Sequence, residues 1–285
     1  MEERGKRTAR NLTALWAACI LVFMYLPIAC VALASLSRNR YFRFPIANYD
    51  TVWYGKAFTS LTVRGLFETS LAIAGLVTVI SVVLAFFGAL AFARFEWRGR
   101  KLYQRVVLLP IFFPQAVLGL ALLVWISTLG IIPDWRTAVF AHLIWVVPIA
   151  TLVMAIQAYS LDPALEEAAF DLGASRFQVF KEITIPVLWP GIFSGALFSF
   201  LLSWSNFPLS MFTTGADQTI PEWLYAKMVA GYTPLVPTLG ALTTLGAAVV
   251  LLGGYAVIML TRRARGRAEQ AVRLRGQAVG KRIGS

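Results

Sequence analysis

Six stretches of this chain are apolar over a length that matches the thickness of a lipid bilayer, and no other property limits its fold as strongly. Taking roughly 20 mostly apolar residues per spanning helix, they fall at about residues 12–36, 68–93, 105–128, 137–158, 187–210 and 237–260. Hydrocarbon offers the backbone no hydrogen-bonding partner, so runs of this length have to be helices that satisfy themselves. The expected fold is an all-α polytopic membrane protein with six transmembrane helices. A hydrophobic content of 58%, a charged content of only 14% and a mean hydropathy of +0.69 exclude an ordinary soluble domain.

The formal charge of +12 raises the question of nucleic acid against membrane surface, and the placement of the charges decides it. Basic residues gather between the apolar runs and at both ends. An N-terminus on the cytoplasmic side puts 19 of the 26 basic residues there: Arg4 to Arg10, the loop from Arg94 to Arg105, Arg176 with Lys181, and the tail from Arg262 to Arg282. The positive-inside rule therefore favours both termini in the cytoplasm, against Arg38, Arg40, Arg43, Lys56 and Arg64 outside. Coming straight after the last span, the basic tail reads as a topology signal or a lipid-headgroup contact, and no nucleic-acid partner is expected. The chain is expected to divide into a cytoplasmic N-terminus (1–11), a transmembrane body (12–260) and a cytoplasmic tail (261–285).

The opening "MEERGKRTAR" and the run behind it have the outline of a signal peptide. That run is too long for one and lacks a clear cleavage site, so it reads as a retained first span. Cys19 and Cys30 both lie in it, roughly 16 Å apart along one helix, too far to pair within it.

Prolines interrupt most spans: Pro27, Pro110, Pro114 and Pro148. In lipid such breaks are tolerated where neighbouring helices or a wet cavity satisfy the freed backbone, so the helices are expected to pack together. Small residues four apart mark where: Gly191, Gly195, Ser199 and Ser203 on the fifth span, Ser81, Ala85, Ala89 and Ala93 on the second. Close helix packing and the lining of a conduit both fit these stripes.

The densest acidic patch lies between the fourth and fifth spans, at about 162–186, in "LDPALEEAAFDLGASRFQVFKEITIP". Asp162 suits an N-cap and Pro163 a first helical position, which predicts a short helix stopping at Gly173. Ser175 and Gln178 have capping-box spacing and restart the helix. The first helix carries Glu166, Glu167 and Asp171 beside Leu165, Ala168, Ala169, Phe170 and Leu172. On the cytoplasmic surface it offers a small apolar face rimmed by carboxylates, suited to a groove on another protein. A solvated loop helix fits the periodicity equally well.

The spacing Glu167-Ala168-Ala169, three residues, Gly173, nine residues, Ile183, one residue, Ile185-Pro186 resembles the "EAA" loop of permease subunits in binding-protein-dependent ATP-binding-cassette (ABC) importers. Ile185 departs from it, standing where the pattern usually has Leu. The resemblance covers nearly the whole chain and implies a type I importer permease fold with a coupling helix seated in a cytoplasmic ATPase subunit. Glu166, Glu167, Ala168, Ala169, Asp171 and Gly173 become the ATPase-coupling residues: Glu167 the polar contact, the alanines the close-approach face, Gly173 the elbow. It further implies two ABC ATPase subunits, a second homologous permease in a heterodimer, and a periplasmic or extracellular solute-binding protein. The chain has no G-x-x-x-x-G-K-[ST] loop, so no cofactor is expected on it, and ATP and Mg belong to the partner ATPase. It reads as a non-catalytic subunit, with its single histidine, His142, in a structural hydrogen-bonding role.

"SLSRNRYF", "RGRKLYQRVVLLPIFFP" and "FLLSWSNFPLSMFTTGADQTIPEWLYAKM" resemble permeases of the polyamine, opine and phosphonate group, the C-type spermidine/putrescine permease in particular. Such permeases tend to carry an acid after the proline of the third span and an acidic pair in the fifth. Here those positions are Gln115 and Ser205-Asn206, all neutral. Carboxylates would offset the desolvation of a dication, so Gln115, Trp204, Ser205 and Asn206 are read as lining a path for a neutral or zwitterionic solute. The alternative class is an ATP-independent secondary transporter or channel, disfavoured by the lack of a clear internal repeat and of ionisable residues inside the third, fifth and sixth spans. A membrane scaffold for an ATPase is a further alternative, against which the proline-broken, partly polar spans favour a conduit.

Overall fold

The computed structural model describes residues 2–39, 43 and 45–283, with side chains described for 10–39, 43 and 45–260. Arg4, Lys6, Arg7, Arg40 and the basic tail from 261 onward lie outside the described side chains. Twelve α-helices form among the described residues: α1 (Glu2–Ser35), α2 (Val52–Thr59), α3 (Leu61–Ala89), α4 (Arg100–Val106), α5 (Gln115–Thr128), α6 (Trp135–Tyr159), α7 (Pro163–Asp171), α8 (Arg176–Val179), α9 (Ile185–Trp204), α10 (Ser210–Thr213), α11 (Ile220–Ala230) and α12 (Leu235–Ile283). No strand forms among them, only an isolated bridge between Ser37 and Tyr49.

Five helical segments are long and apolar enough to span a membrane: Arg10–Ser35, Leu61–Arg94, Trp135–Tyr159, Arg176–Trp204 and Leu235–Leu260. A sixth is broken: Arg100–Phe112 and Gln115–Thr128 meet at 99°. The sequence reading took 105–128 as one helix, and the two prolines explain the difference. Pro110 sits in a 3₁₀ turn, Leu109–Phe112, and Phe113 before Pro114 is extended at φ −82°, ψ 135°, because the proline ring crowds the helical conformation of its predecessor. Pro114 itself, at ψ 126°, then starts α5 afresh. The fifth span likewise ends at Trp204, not at 210. Ser205 is the last half-helical residue, and Pro208 disfavours helix at Phe207.

The chain divides into two compact units. The first, 1–70 with 218–246, buries Ala57, Val63, Leu66, Ile220, Trp223 and Leu239. Ser35 Oγ and Tyr54 Oη lie 2.7 Å apart, and Ser70 Oγ accepts from Ile220 N at 3.0 Å.

The second unit, 71–217 with 247–285, is built on α6. Its buried small face meets both stripes seen in the sequence. Ala85, Ala89 and Ala93 share one cluster with Ala150, Met154, Ala155, Ala158 and Leu188. On α9, Gly191, Gly195, Ser199 and Ser203 are buried, and a β-carbon on Gly191 would stand 2.7 Å from Gln157 Cβ. Such an approach leaves no room for a side chain, which is how helices attract one another where lipid removes the hydrophobic difference.

α3 ends in a π-turn, Leu90–Arg94, whose open carbonyls are covered by the next loop. Trp97 Nε1 donates to Ala91 O at 3.0 Å, Arg100 Nε to Phe92 O at 3.1 Å and Gln104 Nε2 to the same oxygen at 2.7 Å. A second π-turn, Phe180–Thr184, joins α8 to α9 immediately before Pro186, so the helix runs on through the proline, with its register changed there.

Overpacking a site this tight costs about 1–3 kcal/mol. Gly191→Leu should therefore lower the melting temperature of the detergent-solubilised protein, while Gly75→Ala, whose β-carbon meets nothing within 4 Å, should leave it unchanged or raise it. Thermal unfolding followed by tryptophan fluorescence checks both.

Candidate functional site

Two sets of residues were singled out by the sequence, and both lie in the second unit. The acidic segment folds as its caps dictate. Asp162 accepts from Ala164 N at 3.0 Å, Pro163 opens α7, and Ser175 with Gln178 forms a capping box opening α8. Between them Gly173 stands at φ +83°, with its N–H on Phe170 O and that of Ala174 on Ala169 O, a Schellman closure. Nothing lies within 4 Å of a β-carbon placed there, so the left-handed backbone, and not space, requires the glycine.

α7 turns two different faces outward and inward. Leu165, Ala168 and Leu172, at helical spacing, are exposed, with Leu172 at 88%, and Glu167 and Asp171 are exposed beside them. Ala169 and Glu166 are half-buried. Glu166 pairs with Arg94 at the end of the first π-turn and accepts from Thr184 Oγ1 at 2.8 Å at the end of the second. The predicted coupling set is thus split: Glu167, Ala168 and Asp171 are available to a partner, whereas Glu166 is held by its own chain. Sequence reasoning missed Arg94 and Thr184. The available signal was an arginine at the last turn of a span, where an unpaired charge is costly.

The second set gathers where two spans break. Gln115 is the first residue of α5 after the bend, and Asn206 comes just after the end of α9. Asn206 Nδ2 donates to Gln115 Oε1 at 3.4 Å, and Asn206 Oδ1 accepts from Leu209 N at 3.0 Å. Trp204 is half-buried and stacks on Phe200 at 5.8 Å. Ser205 is exposed, and its hydroxyl donates back to Leu201 O. The structure therefore joins Gln115 to Asn206 directly and leaves Ser205 turned to its own helix.

Asn206 leads into a buried polar chain. Ser210 Oγ donates to Asn206 O at 2.9 Å, which uses its only proton, so it accepts from His142 Nε2–H at 3.0 Å. On the other side of the ring Nδ1 lies 2.9 Å from Ser203 Oγ. His142 is fully buried with both nitrogens satisfied, an arrangement that pins α6 to α9 and α10. Gly119 lets α5 approach the same segment: its β-carbon would meet Pro208 O at 3.1 Å.

Comparison with known proteins identifies the family of the chain. Residues 78–267 match the family described as binding-protein-dependent transport system inner membrane component. The spermidine/putrescine transport system permease protein PotC of Escherichia coli (strain K12) is 24% identical over 239 residues, 84% of this chain and 90% of that protein. The putrescine transport system permease protein PotI of the same strain is 27% identical over 276 residues, 91% of this chain and 96% of that protein. A chain of a bacterial ABC transporter involved in the import of the acidic polysaccharide alginate superposes with a TM-score of 0.64, covering 90% of this chain and 97% of that one. At 20% identity, that likeness establishes the fold alone. With the helical architecture already described, the match over most of its length makes this chain a member of the binding-protein-dependent transport system inner membrane component family, a permease subunit of an ABC importer.

Proposed function

We propose that this chain is one half of a bacterial inner-membrane translocation path, moving a small polar organic solute into the cytoplasm when partner subunits hydrolyse ATP. The observation that carries this reading is the exposed face of α7. Leu165, Ala168 and Leu172, exposed together beside Glu167 and Asp171, suit a helix seated in an ATPase groove better than one that only links spans. Both termini, α7 and the 94–105 loop then lie in the cytoplasm, the orientation that the distribution of basic residues favours. The assembly comprises two ATPase subunits, a second permease of different sequence and an external solute-binding protein. Six spans are too few to enclose an alternating path alone, and the family description itself names a binding protein.

Two solute classes have support. The names of PotC and PotI favour a polyamine. The neutral amide pair Gln115–Asn206 favours a neutral or zwitterionic amino-acid, opine or phosphonate-type solute, since it supplies hydrogen bonds without the charge that would compensate a dication. Uptake assays with spermidine, putrescine and amino-acid-like or phosphonate solutes separate them. On the neutral-path reading Asn206→Ala lowers uptake roughly tenfold, as removal of a buried hydrogen-bonding group does. Spermidine-only uptake that survives Asn206→Ala would overturn it.

Purification of the tagged chain in mild detergent, with mass spectrometry of its companions, should recover an ABC ATPase and a second permease. A chain that emerges alone, with uptake insensitive to ATP depletion, would replace this reading by a self-contained carrier. Glu167→Lys should leave the chain inserted but abolish transport by reversing the docking charge. Gly173→Pro should do the same, because proline cannot adopt the φ of +83° at the elbow. Wild-type uptake in either variant would misplace the docking site.

A further inference from the structure

Glu166 is the one acid of α7 that faces its own protein, and its two carboxylate oxygens reach different elements. Oε2 meets Arg94 Nη2, and Oε1 accepts from Thr184 Oγ1 at 2.8 Å. Arg94 also donates from Nη1 to Leu161 O at 3.4 Å, just before α7 begins. The pair is 15% and 20% exposed, and Thr184 is buried.

Arg94 and Thr184 each close a π-turn, Leu90–Arg94 and Phe180–Thr184. A π-turn inserts one residue into a helix and rotates the residues beyond it, and single π-turns recur at functional positions. Here both deliver a polar side chain to the same carboxylate. The two turns are further linked to α3 and α9 by packing: Phe180 meets Phe86 edge-on at 5.9 Å, and Leu90 and Ala93 share the buried cluster with Leu188.

A partly buried ion pair adds little net stability, because desolvation offsets the attraction, while it fixes geometry and is costly to break on one side. Besides the turns at Leu161–Asp162 and Gly173–Ser175, α7 packs against α8 and the second π-turn. These contacts carry no directional bond other than that of Glu166 to Thr184, and without the carboxylate a push on the outer face would be absorbed in part by rotation of the helix. We infer that Arg94, Glu166 and Thr184 form an internal latch that makes α7, the end of α3 and the start of α9 move together, so that displacement of α7 reaches the membrane helices. These are positioning residues, and the inference rests on the reading of α7 as the ATPase-docking helix.

The test uses the whole complex, purified through the tagged chain in a background where Cys19 and Cys30 are replaced by serine. The exposed Ser205→Cys, at the end of α9, then reports by its rate of maleimide labelling with and without ATP and vanadate. In Glu166→Gln, Arg94→Gln and Thr184→Val the ATPase should still co-purify, while the nucleotide-dependent change in labelling is lost. The double variant Arg94→Gln/Glu166→Gln should be no worse than either single one, and Thr184→Ser should behave as wild type. Unchanged nucleotide response in Glu166→Gln overturns the latch, and so does loss of the ATPase from that variant, which would put Glu166 in the docking surface. Should Glu166→Gln fail to accumulate in the membrane, Thr184→Val, which keeps the ion pair, decides by the same readout. Failure of the unmutated chain to retain any ATPase would instead bring down the docking reading itself.

Discussion

A backbone that crosses lipid has to satisfy its own hydrogen bonds, and the informative parts of this protein are the places where a helix stops doing so. The bend at Pro114, the end of α9 at Ser205 and the two π-turns are such places. Several of these helix ends are met by side-chain hydrogen-bonding groups of the same unit. Asn206 caps Leu209 N, Trp97, Arg100 and Gln104 cover the carbonyls at the end of α3, and Thr137 reaches Thr213 O. Breaks in the helices are therefore also where polar chemistry is brought into an otherwise apolar body.

The small residues and the polar groups depend on one another. Gly191 and Gly195 let α9 lie against α6 closely enough for Ser203 to reach His142, and Gly119 lets α5 lie close to Pro208 and Leu209, beside Asn206. Widening either contact would lengthen the hydrogen bonds beside it. Close packing and polar satisfaction are thus linked at this contact: Ser199 and Ser203 are buried in it, as the close-packing reading of the stripe expects, and Ser203 also takes part in the polar chain.

Charge in this chain serves two purposes that composition alone does not separate. Counted along the sequence, Arg94 and Arg100 are two more basic residues of a loop that sets topology. In the structure Arg94 binds Glu166 and Arg100 binds carbonyls of the π-turn. The same holds for the acidic patch. Glu166 and Glu167 are adjacent in sequence and alike in chemistry, but roughly 100° of helix rotation turns one toward its own protein and the other to solvent.

The sequence by itself determined the helical membrane architecture, the approximate place of the spans, and the caps of α7 and α8, because these rest on run length and on bonds between residues two to four apart. Asp162, Gly173 and the Ser175–Gln178 box needed no distant partner to be recognised. Tertiary structure alone decided that Gln115, 91 residues before Asn206, lies against it, whereas the 99° bend within residues 100–128 and the stop of α9 at Trp204 follow from Pro114 and Pro208, local signals already present in the sequence. Tertiary structure also decided which carboxylate of the acidic segment is held within the chain, since the partners of Glu166 stand 72 residues before it and 18 after. The physical reason is the same throughout: local hydrogen bonding and hydrophobic length are properties of a segment, whereas which face of a helix is covered depends on what packs against it.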